Sequence, residues 1–164
     1  MPLASYRPHL NTRWDGDDLL VLENDHELDR IAGREIHRVI LVSDGGGAPR
    51  DLCYAVIETA HDHIVLPAES GIAGRVHFER QSFWQQRPCV YWAAASRATL
   101  PRRLLPGVWL LRRHRPGYAR LPRTELAAVI ERWPLEGPQT WEQRKWARIV
   151  AARSLPSGRP EHPE

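Results

Sequence analysis

Three apolar runs constrain this chain more than any other feature: "EIHRVILVS" (35–43), "DLCYAVIET" (51–59) and "HIVLPA" (63–68). Each is rich in β-branched residues and shorter than an ordinary helix, so each reads as a largely buried strand. Only "AHD" separates the second run from the third, a connection short enough to make them an antiparallel hairpin. Two more runs fit strands, "LLVLE" (19–23), which leads into a turn at Asn24-Asp25, and "PCVYWAA" (88–94). "GVWLLRR" (107–113) adds a sixth candidate.

The ends of the chain read differently. Residues 1–17 have early prolines and an acidic "WDGDD", and are expected to form an irregular arm. Residues 72–86 fit a helix through Ile72, Val76 and Phe83 or a strand through Val76, Phe78 and Trp84; their Glu, Arg and Gln content favours the helix. Leu126, Val129, Ile130 and Trp133 recur at helical spacing, with Thr124 placed to cap and Pro134 to stop the helix. A second helix is expected to begin at Thr140 and Gln143, which match a capping box. Trp146, Ile149 and Val150 form its apolar face. Residues 154–164 hold too little apolar matter to pack and read as a mobile tail.

Strands first and helices last imply an α+β fold, with residues 1–153 as a single domain. The expected architecture is a mostly antiparallel sheet with two C-terminal helices packed on it. A pleckstrin-homology-like barrel plus helices is a topological variant of the same order. A length of 164 residues suffices for one real core. No apolar run is long enough to span a bilayer, and the N-terminus lacks the apolar segment of a secretory signal. Cys53 and Cys89 lie inside apolar runs, as buried free thiols of a cytoplasmic protein would.

Charge is distributed unevenly. Residues 1–70 contain 13 Asp and Glu against 6 Arg, whereas residues 71–124 contain 11 Arg against Glu79 alone. Such asymmetry implies either a polar partner surface or two halves of one domain attracting each other. Lys145 is the only lysine among 23 basic residues, a skew that points to a GC-rich, bacterial coding bias rather than to guanidinium chemistry at every site.

Several constellations could carry chemistry. His61 and His63 flank Asp62 at strand alternation, and with His77 or Glu69 they are candidate metal ligands. The pattern resembles the first cupin motif in outline. However, the interval before Glu69 is five residues where that family has three or four, and no second cupin motif follows. A metal site needs three or four converging ligands, so a polar hairpin tip is the simpler reading and no cofactor is expected. "DGGGAPR" (44–50) lacks the Lys-Ser/Thr pair of a phosphate loop and reads as a plain connection. Ser70, in "AESGIAG", does not sit in a nucleophile elbow, which leaves catalysis without support from sequence.

The stretch "LLRRHRPGYARLPR" (110–123) is the main candidate contact surface. Its residues, with those just before it, are Arg102, Arg103, Trp109, Arg112, Arg113, Arg115, Tyr118, Arg120 and Arg123. Arg and Trp dominate protein-binding hot spots, and the chain holds seven tryptophans, so a non-enzymatic interaction domain is the first expectation. Its partner would be another protein, or another copy meeting it through complementary charge. Nucleic acid is the alternative partner, with the arginines on phosphates and Tyr118 or Trp109 stacking on bases. A metal-binding domain or enzyme around His61 and His63 is the third.

Overall fold

The three apolar runs form the middle of a six-stranded sheet as β4 (Arg38–Ser43), β5 (Leu52–Glu58) and β6 (Asp62–Pro67). The computed structural model describes residues 9–44, 52–72, 87–105 and 116–154. β5 and β6 make the expected hairpin, closed where the Thr59 amide donates to the Asp62 carbonyl at 2.9 Å. β4 pairs antiparallel with β5 and parallel with β7 (Val90–Ala94). The edges are β8 (Ala119–Pro122), beside β6, and β9 (Glu136–Gln139), beside β7.

A second, three-stranded sheet is an antiparallel meander of β1 (Leu10–Asp15), β2 (Asp18–Glu23) and β3 (His26–Ala32). The two-residue turn joining β2 to β3 places Asn24 at φ 51° and Asp25 at φ 66°. Both are left-handed, as the twist of a tight hairpin requires, and Asn and Asp tolerate that conformation better than most residues.

Strand alternation divides the core into two layers. Val39, Leu41, Ile57, Ile64 and Leu66 point toward the smaller sheet and bury Leu19, Val21 and Ile31. Ile40, Val42, Val56 and Val65 point the other way, onto helix α1 (Arg123–Ile130) through Leu126 and Ile130, with Trp133 just beyond its end. A bulge inserts Cys53 opposite the β4 register, so that Cys53 and Tyr54 both lie in this second layer. The mixed α+β reading therefore holds.

Three expectations change, and a fourth is shown only in part. Residues 10–15 are not an irregular arm: β1 pairs with β2 along its whole length. Thr124 does not cap α1; the residue before the helix is Pro122 and no side chain caps it. The sheets remain separate, and among the described residues no pairing closes them into a pleckstrin-homology-like barrel. Finally, packing of two helices on the sheet is not shown. Among the described side chains, α1 contributes to a core layer and α2 does not. Helix α2 (Trp141–Ser154) leaves Trp146 56% and Val150 60% exposed. Its start is well formed even so. Thr140 Oγ1 accepts from the Gln143 amide at 3.1 Å, and Gln143 Oε1 accepts from the Thr140 amide at 2.9 Å. The expectations for residues 72–86, for the strand at 107–113 and for the tail fall largely or wholly outside the described residues.

The contrast between the helices can be measured. Leu126→Ala should cost about 2–5 kcal/mol in urea unfolding, because it empties a fully buried site. Trp146→Ala should change stability by no more than about 0.5 kcal/mol.

Candidate interaction surface

The carboxyl end of β5 holds a buried carboxylate, Glu58, within a polar row of the central sheet. Register sets Arg38 of β4 opposite Glu58 and Glu58 opposite His63 of β6, so the three side chains lie in one row on the face that carries α1. Arg38 donates to Glu58 Oε2 at 2.9 Å, and His63 Nε2 lies 3.0 Å from the same oxygen. Arg123, the first residue of α1, brings its guanidinium to Glu58 Oε1 at 3.2 Å. An ionised carboxylate can only accept, so His63 Nε2 is the donor in this contact. Nδ1 is buried, with no hydrogen-bond partner among the described residues. Arg38 also lies over the Tyr91 ring, 5.5 Å from its centroid.

Burial pushes Glu58 upward, but the hydrogen bonds from His63 and Arg38, with the charges of Arg38 and Arg123, outweigh it and hold the carboxyl at about 2. A carboxylate held so firmly ionised is a structural anchor and a poor proton donor near neutrality. His61 is exposed at the hairpin while His63 is fully buried, so the two imidazoles do not share a site. Glu69 is exposed and His77 lies outside the described residues. No group of three His, Cys, Asp or Glu side chains converges among the described residues.

The basic stretch behaves differently on its two ends. Arg112, Arg113, Arg115 and Trp109 lie outside the described residues. Arg102 and Arg103 occupy a short 3-10 turn, where Arg103 pairs with Glu125 of α1. Arg120 of β8 and Tyr118, just before that strand, point toward the smaller sheet, where both bind Asp29 of β3. The Tyr118 hydroxyl donates to Asp29 Oδ2 at 2.6 Å, and Arg120 Nη1 reaches both Asp29 oxygens at 2.8 and 3.0 Å. Arg120 Nε also donates to Asp62 at 2.9 Å. Burial, followed by the adjoining Asp29 carboxylate, keeps the Tyr118 phenol well above its ordinary value, so it remains a neutral donor. Arg103, Arg120 and Arg123 thus each bind a carboxylate of their own chain. The acidic part of the sequence supplies Asp29, Glu58 and Asp62. The smaller sheet has a hub of its own, with Arg30 bound to Asp15, Asp18 and Glu27.

The largest exposed aromatic among the described residues lies elsewhere, at Trp146 on α2, with Val150 one turn on and Ile149 half-buried beside it. Sequence reasoning placed these three on a helix face but directed that face to the core. It did not single out Glu58, Arg38 or Asp29, because nothing local marks a carboxylate that register will enclose. Comparison with protein-family models, curated proteins and solved structures finds no match to this chain.

Two measurements test this network. Glu58 titrates at about 2 in the folded chain against an ordinary 4.5, so its stabilisation is complete above 4.5 and is lost as the pH falls toward 2. Glu58→Gln should flatten the acid limb of a stability–pH profile over that window, removing on the order of 2–3 kcal/mol of pH dependence. A double-mutant cycle with Asp29→Asn and Arg120→Gln should give a coupling of about 1 kcal/mol that shrinks in high salt, since the arginine is one-third exposed.

Proposed function

We propose that this chain acts by binding another protein, without catalysis, through an Arg- and Trp-rich surface centred on α2. The observation that carries the reading is Trp146, 56% exposed on a helix none of whose described side chains joins either core layer. A large aromatic left in water on an ordered helix has the character of a binding anchor, because Trp combines wide apolar area with few rotatable bonds. The sequence of α2 adds Arg144, Lys145, Arg148 and Arg153 against Glu142 alone, which favours a partner with acidic groups.

The pairing of Arg103, Arg120 and Arg123 with internal carboxylates lowers the weight of a phosphate-binding surface along 102–123, since each would have to leave a partner first. Buried free thiols at Cys53 and Cys89 support a reducing, cytoplasmic setting. No helix among the described residues is long and apolar enough to cross a membrane.

The test is a photo-crosslinking residue at Glu142, exposed one turn before Trp146, introduced into the full chain in its host cell. Discrete protein adducts should form and should disappear when Trp146→Ser is added. An absence of Trp146-dependent adducts would sink the reading. Tight binding of single-stranded RNA or duplex DNA by purified protein, falling steeply with salt, would replace it with the nucleic-acid alternative.

A further inference from the structure

We infer that the partner of α2 is a second copy of this chain, docking the Trp146 face of one copy on the acidic β2–β3 hairpin of the next. The inference rests on the binding role of α2 proposed above. Large apolar side chains are exposed at three places among the described residues: Trp146 and Val150 on α2, and Leu28 on β3 at 41%. Leu28 has a specific structural origin. Val21 pairs with Asp29 and Leu22 pairs with Glu27, so Leu28 is the extra residue of a β-bulge, opposite no residue of β2. A bulge at a sheet edge re-aims a side chain that regular alternation would place otherwise. This one leaves an apolar side chain at the rim of the smaller sheet.

The surroundings of the two patches are complementary. Leu28 follows Glu23 and the exposed Asp25 on the hairpin, whereas its neighbours Glu27 and Asp29 are already bound by Arg30 and by Tyr118 and Arg120. Helix α2 carries four basic residues to one acidic. Leu28 and Trp146 are both exposed, so the described residues of one copy cover neither side chain. Apolar contact at the centre with opposite charge around it is the arrangement that gives a protein interface both affinity and orientation. Because the patches differ, the contact is heterologous: each copy uses its helix on one neighbour and its hairpin on another. Such a contact grows into a ring or a chain rather than stopping at a two-fold dimer.

The experiment is sedimentation velocity on the full-length protein over a wide concentration range, at low and high salt. Wild type should form a concentration-dependent series of oligomers that weakens as salt screens the charges. Trp146→Ser and Leu28→Ser should each weaken self-association at least about tenfold, as loss of an interface anchor does. Both sites are exposed, and thermal melts matching wild type will show that the fold is retained.

Mixing the two variants should restore a dimer and nothing larger, because one variant keeps an intact hairpin and the other an intact helix. Wild type that stays monomeric at every concentration in low salt overturns the inference. So does Leu28→Ser that assembles like wild type, or assembly that requires added anionic vesicles or nucleic acid. Monomeric wild type that still gives Trp146-dependent crosslinks to a different protein overturns self-association alone and leaves the binding role standing. Monomeric protein without such crosslinks overturns both.

Discussion

The register of β5 between β4 and β6 governs the rest of this structure. Because successive side chains alternate faces, that single alignment sends Val39, Leu41 and Ile57 to one layer and Ile40, Val42 and Val56 to the other. The same alignment places Arg38, Glu58 and His63 in a row at the end of the ladder. A slip of one residue would exchange the residues of the two buried layers and carry Glu58 to the opposite face, away from both arginines. The buried carboxylate and the two-layer core are therefore consequences of one geometric fact.

The basic stretch acquires a structural role from the same alternation. On β8, Ala119 and Leu121 face the α1 layer while Arg120, and Tyr118 just before the strand, face the smaller sheet. Asp29 receives both polar groups and so ties the two sheets together, while Arg123 ties the start of α1 to Glu58. Two arginines of the basic part, Arg120 and Arg123, thus meet carboxylates of the acidic part inside one molecule. For half-exposed pairs the energy of each link is modest, and their effect is to orient the layers that apolar burial holds together. Among the described residues, these pairs leave Trp146 and Val150 of α2 and Leu28 of the hairpin as exposed large apolar side chains.

Helix α2 shows why an amphipathic pattern alone does not identify what covers it. Trp146, Ile149 and Val150 follow the same spacing that correctly buried Leu126 and Ile130 in α1. The pattern says that a face is apolar. Whether the covering surface belongs to the same chain depends on where the preceding strand ends, and β9 is the outermost strand on its side of the sheet.

The strands β2, β4, β5, β6 and β7, the Asn24-Asp25 turn, the capping box at Thr140 and the α+β class were legible in sequence, because each rests on local periodicity or on residues within a turn of each other. The arm that became β1 was not, since an edge strand with mixed polarity carries no periodic signal of its own and forms by pairing with β2. Glu58 and Asp29 look like any other carboxylates in the chain, and Leu28 like any other leucine. Their enclosure or exposure was decided by register, by a bulge and by contacts spanning as many as 91 residues. Local chemistry fixes which elements form. Only the assembled layers decide which charges meet, which are neutralised, and which apolar groups remain at the surface.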